Sequence, residues 1–203
     1  MKTITLTDDE VVAVAVAQGG AWRGPLPTVE DAESGALLAA AARGARSLRV
    51  RSGATGDRSL ESSARELLAP GIDRLPLLLG YVANDKERTV PAGVSFAVLA
   101  GHSDGQRLLT VTSPSGISEV TALESGAAAD FVTGLADAVC AAAGARVVIM
   151  VAPRDEESGR ILVVAKAGSI TSTYIKGAVD TATGDPVADV VGTIRTLLSE
   201  PTK

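Results

Sequence analysis

Apolar and polar positions follow two rhythms along this chain, and the changes of rhythm mark its elements. Ile4 and Leu6 alternate with Thr3 and Thr5, a period of two that predicts a short first strand. Thr7-Asp8-Asp9-Glu10 comes next as a capping box: the Thr7 hydroxyl can accept a backbone N–H three residues on while Glu10 reaches back. The apolar run after it is rich in valine, which favours strand. The cap and the acidic first turn decide for a helix that ends at Gly19-Gly20. Trp22, Pro25 and Pro27 make residues 21–27 a turn. A second helix is expected over residues 29–43, with Glu30, Asp31 and Glu33 at its positive end and an alanine-rich packing face over 36–42.

Residues 47–51 read as a short strand and residues 53–57 as a loop. Ser63 and Glu66 offer a second capping box inside a short helix that carries Leu60, Ala64, Leu67 and Leu68 on one face. Pro70-Gly71 stops it. The apolar run 75–82 predicts a strand, and Pro76 puts its beginning at a sheet edge or a bulge. Residues 83–93 are the most polar stretch between two strands, and they predict a long exposed hairpin loop with Tyr81 at its base.

From residue 94 on, one order of patterns occurs twice. Three apolar runs and an amphipathic helix fill residues 94–139, and the same succession fills 146–198. Leu109, Val111 and Ile117 fall on Leu162, Val164 and Ile170 at one constant offset. Phe131, Val132, Leu135 and Val139 line one side of the first helix. Val187, Val190, Val191, Ile194, Leu197 and Leu198 line the second. The fold class expected is α+β: a central, mainly antiparallel sheet with flanking helices and a pseudo-twofold βββα repeat. No low-complexity linker interrupts the chain, so a single domain over residues 1–203 is expected, with halves of about 1–143 and 144–203.

Composition narrows the function more than it names it. Aromatic residues make up 2% of the chain, so the core is built from Val, Leu, Ile and Ala. A net charge of −5 disfavours nucleic acid, whose backbone demands a concentrated basic surface. The one basic cluster, Arg43, Arg46, Arg49 and Arg51, reads as one solvated face of the strand at 47–51. The longest apolar run is far short of a membrane span, and the first residues lack a signal-peptide core, so a cytoplasmic location is expected. Cys140 is the single cysteine, which excludes an intramolecular disulfide and, among alanines, reads as a small buried apolar residue.

Chemistry has few candidates. His102 is the single histidine, and it sits in Gly101-His102-Ser103-Asp104-Gly105. Adjacent residues in one turn do not build a nucleophile–base–orienter line, which converges from separate elements. One His and one Cys cannot make a zinc site of the usual kind. The acids at 8–10 and 30–33 suit helix N-termini, and those at 155–157 suit a solvated hairpin tip. No phosphate-binding glycine motif is present. The expectation is a non-enzymatic protein without catalytic residues, metal or cofactor.

The opening ITLTDDEVVAVAVAQGG, the proline turn at residues 24–27 and the closing of a short helix in RELLAPGIDRLPLLLGYV resemble the N-terminal half of the EspG family. These are cytosolic chaperones of type VII (ESX) secretion. Leu6-Thr7 before the first helix and Ala69-Pro70 before the strand run match that family's element order, as do the βββα halves. The resemblance implies a central antiparallel sheet flanked by helical bundles, and binding of PE–PPE heterodimers that keeps them soluble before export. It also implies that the loop at 83–91 is a contact segment, which makes Tyr81, Asn84, Lys86, Arg88 and Val90 the partner-binding candidates. The chain departs from the family in one respect. Only residues 143–145 separate the first long helix from the next strand, where family members carry extra helices. A client other than PE–PPE, such as a small helical ESX-type protein, therefore stands beside it. Two other readings remain open: a homo-oligomerisation module built on a sheet edge, and a small-molecule or enzymatic pocket between sheet and helices.

Overall fold

The computed structural model describes residues 2–29, 34–54, 59–84, 94–141, 145–151, 160–166, 169–175 and 190–199. In chain order they form β1 (Thr3–Thr7), α1 (Asp8–Ala17), α2 (Ser34–Ala54), α3 (Ser59–Leu68), β2 (Leu78–Asn84), β3 (Val94–Ala100), β4 (Gln106–Thr112), β5 (Ile117–Glu124), α4 (Ser125–Ala141), β6 (Ala145–Val151), β7 (Arg160–Lys166), β8 (Ser169–Ile175) and α5 (Val190–Ser199). All eight described strands belong to one sheet of order β1-β5-β4-β3-β2-β6-β7-β8, and every neighbouring pair is antiparallel. The fold is α+β, a central antiparallel sheet with helices packed on it.

The expected start of the chain is present in detail. Thr7 caps α1 by accepting from the Glu10 N–H, and the Glu10 carboxylate accepts from the Thr7 N–H, a complete capping box. Gly19, at φ +76°, ends the helix in the left-handed region. The next turn is held by Asp73, whose carboxylate accepts from the Ala21 N–H at 2.8 Å. Trp22 makes an isolated bridge to Ile72 and is buried.

Strand alternation sorts the core into two sides. Leu78, Phe96, Val98 and Leu109 pack against Ala128, Ala129 and Val132 of α4 and Ile194 and Leu198 of α5. Leu6, Ala97, Leu99, Leu108 and Val120 lie on the other face, under Val11, Val14, Leu48, Ala64, Leu67 and Leu68 of α1, α2 and α3. Gly80 serves the first side. A Cβ there would overlap the Phe96 ring, so the missing side chain lets that ring lie across β2. Phe96 in turn meets Phe131 edge-on, with ring centroids 6.1 Å apart. The chain's two phenylalanines form one contact.

Four expectations are corrected. Residues 47–51 are not a strand: α2 runs unbroken through them to Ala54. The arginines at 43, 46 and 49 recur at helical, not strand, spacing, and alanine-rich flanks favour helix. Ser63 is interior to α3, which starts at Ser59, so it caps nothing, and Glu66 instead pairs with Lys2 at 2.6 Å. Pro76 does not mark a sheet edge. The strand begins two residues later, at Leu78, and β2 lies in the middle of the sheet between β3 and β6. Proline's missing N–H is tolerated because it precedes the ladder.

The fourth correction concerns the repeat. The order βββα does recur as β3-β4-β5-α4 and β6-β7-β8-α5. Yet β3 and β6 are both antiparallel to β2, so the two copies run in the same direction on either side of it. A twofold normal to the sheet would reverse one of them. A twofold along the strands would put α4 and α5 on opposite faces, whereas they share one core. The offset residues also fall on alternate rows of the sheet: Leu109 shares the row of Leu78, and Leu162 that of Leu79. The recurrence is one of element order, not of symmetry.

Candidate functional site

Of the five predicted contact residues, two lie on β2. Tyr81 is half-buried and stands opposite Ser95 of β3 and Val148 of β6. Asn84 closes the strand opposite Ala145. The two stand three positions apart along the strand. Lys86, Arg88 and Val90 lie outside the described residues, as do the acids at 30–33 and 155–157. Residues 85–93 stand in the chain between β2 and β3, the fifth and fourth strands of the sheet order among the described residues.

His102 is exposed in the β3–β4 turn. Its Nε2 lies 2.7 Å from the Glu66 carbonyl, in the last turn of α3. The Glu66 carboxylate accepts from Lys2 Nζ at 2.6 Å, and that hydrogen bond, with the ammonium charge, holds the carboxyl below the usual glutamate range. The Lys2–Glu66–His102 chain thus ties β1, α3 and the β3–β4 turn together. It puts a hydrogen-bond acceptor, not a nucleophile, against the imidazole. Cys140 falls near the end of α4.

Sequence reasoning placed the acids of α1 at a helix N-terminus but missed their burial. Glu10 is fully buried, and its carboxylate accepts from Ser47 Oγ (2.7 Å) and Arg51 Nη1 (2.5 Å) as well as from the Thr7 N–H. Asp8 is equally buried. One of its oxygens accepts from both the N–H and the hydroxyl of Thr28, each at 2.8 Å, and burial pushes its carboxyl above the usual aspartate range. The signal was available in the arginines 43, 46 and 51, once read at helical spacing. Arg43 forms two hydrogen bonds to Asp9, Arg51 reaches Glu10, and Arg46 turns back to the Ala42 carbonyl. This cluster welds α1 to α2. Asp9 and Glu10 are each engaged by an arginine, whereas the second Asp8 oxygen is buried without a hydrogen-bond partner.

Arg107 was missed as well. It is fully buried in β4, with Nη1 donating to the Gln106 carbonyl at 2.7 Å. An arginine at an otherwise apolar strand position was the available signal. Close by, an open cleft of about 470 Å³ is lined by Lys2, Gln106, Ala122, Leu123, Glu124 and Ala127. The cation in that lining, Lys2, is engaged by Glu66. Among the described residues no group of three His, Cys, Asp or Glu side chains could hold a metal ion. No described helix is long and apolar enough to cross a membrane.

The surface is more suggestive than any interior group. Leu38 and Val50 on α2 are 62% and 69% exposed, and Arg46 and Arg49 share that outward side. These features define a class, an α+β protein on one eight-stranded antiparallel sheet, rather than a reaction. No protein-family model matches the chain, and no curated protein matches it.

Proposed function

We propose that the protein is a non-catalytic binding protein that shields a helical protein client, in the manner of the secretion chaperones its element order resembles. The client would be a PE–PPE-like or small ESX-type substrate, kept soluble in the cytoplasm before export. What supports this reading is the sheet position of β2 and β3, the strands that precede and follow residues 85–93 in the chain. They are the two central strands, fixed on both sides by hydrogen-bonded neighbours and underneath by a packed core. A rigid sheet carrying a long loop is a common way to hold recognition residues in place. Covering an exposed apolar helix tip would prevent the client's aggregation and needs no reactive group.

The test is capture of co-expressed candidate clients by the purified protein. Lys86→Glu with Arg88→Glu is expected to reduce capture at least tenfold while leaving the melting temperature unchanged, because a reversed charge pair opposes a complementary surface. Equal capture by the double variant would remove the loop from the reading. Failure of every helical secretion substrate to bind would remove the reading itself.

A further inference from the structure

The two outer strands of the sheet are finished differently. At one side β1 is five residues long, and Arg51 of α2 donates to its Thr5 carbonyl at 3.0 Å. At the other side β8 pairs, among the described residues, only with β7. Its sequence, SITSTYI, holds no charge, no proline and no glycine. Edge strands are ordinarily blunted by such residues, because a bare edge offers its N–H and C=O groups to another strand.

The same seven residues match themselves. Antiparallel pairing of β8 with a second β8 about an axis through Ser172 sets Thr171 opposite Thr173 and Ile170 opposite Tyr174, each pair occurring twice. Ser172 meets its own copy, and Ser169 meets Ile175. Threonine–threonine and aromatic–β-branched pairs are among the favourable cross-strand combinations, and no charge faces a like charge. An interface with this symmetry closes on two copies and leaves no β8 edge free.

We propose that β8 is a homodimerisation edge, at which two copies of this chain join their sheets antiparallel about Ser172 into one continuous sheet. The inference stands apart from the client reading. It is tested on the purified protein alone, so its failure leaves that reading untouched.

The experiment is light scattering with size exclusion, from micromolar to sub-millimolar protein, on the wild type and two double variants. Thr171→Lys with Thr173→Lys puts lysine opposite lysine twice across the axis. Thr171→Lys with Thr173→Glu puts lysine opposite glutamate twice. The wild type is expected to shift to dimer mass as concentration rises. The first variant should weaken the dimer roughly tenfold or more, and the second should retain it. Circular dichroism confirms that both variants fold. A wild type that stays monomeric throughout overturns the proposal. So does a lysine pair that dimerises like the wild type, or a pair of variants that lose the dimer equally.

Discussion

Glu10 and Asp8 sit two residues apart on α1, and their partners give them different physics. Glu10 is compensated by the Arg51 guanidinium and two further donors, the Thr7 N–H and the Ser47 hydroxyl, while Asp8 has the two donors of Thr28. For Asp8, burial outweighs those hydrogen bonds, and the neighbouring Asp9 charge adds to the upward push. A carboxyl whose folded-state pKa lies above its unfolded value favours folding fully below the unfolded value. It loses that contribution as pH rises through the folded pKa. Asp8→Asn keeps an acceptor for Thr28 and cannot titrate. The variant's melting temperature is therefore expected to gain on the wild type's as pH rises from about 4 to about 7. Glu66, whose depressed pKa acts in the opposite sense, is common to both proteins and cancels from the difference. Parallel thermal melts across that range decide it, and a difference independent of pH would show that Asp8 titrates normally.

At the scale of elements, helix propensity and helix packing make opposite demands on two glycines. Gly44 lies on the side of α2 that meets α1, where an added Cβ would overlap the Asp9 carbonyl oxygen. Gly134 of α4 is exposed, with nothing within 4 Å of an added Cβ. Alanine in place of glycine stabilises a helix interior by about 0.5–1 kcal/mol. Gly134→Ala should gain about that much in urea denaturation. Gly44→Ala should lose about 2 kcal/mol, because backbone cannot yield as a side-chain end does. Equal effects at the two sites would mean that α1 and α2 are not in the close contact described. That contact, reinforced by Arg43 on Asp9 and Arg51 on Glu10, explains why α2 continues as helix where a strand was expected.

On the scale of the molecule, β2 joins the chain before residue 144 to the chain beyond it. It hydrogen-bonds β3 on one side and β6 on the other, and α5 completes the core beneath it with Ile194 and Leu198. Removing residues 144–203 would open the β2 edge, LLGYVAN, and uncover one face of α4. An apolar, uncharged edge in the middle of a sheet is an aggregation template. The fragment 1–143 is expected to be insoluble or to migrate as large oligomers in size exclusion. A monomeric fragment with native-like circular dichroism would show that the last three strands add little to the fold.

Several features were legible because they are local. The period-two rhythm of β1, the Thr7–Glu10 capping box, the glycine stop of α1 and the succession of strands and helices after residue 94 all arise within a few residues of one another. The single histidine and the single cysteine are likewise a matter of composition. The proposed contact residues came from resemblance alone, and of them Tyr81 and Asn84 lie on β2. What tertiary structure alone decided is non-local. It set the fate of 47–51, where the ion pairs of α2 with α1 and the burial of Leu48 settle helix over strand. It set the central position of β2, which no property of its own residues specifies. It also set the relation of the two βββα stretches, whose shared order the sequence displays but whose directions depend on β2 coming between them. Pairing partners in a sheet lie far apart in the chain and are chosen by burial on both faces, and a local pattern records which side of an element is apolar but not what will cover it.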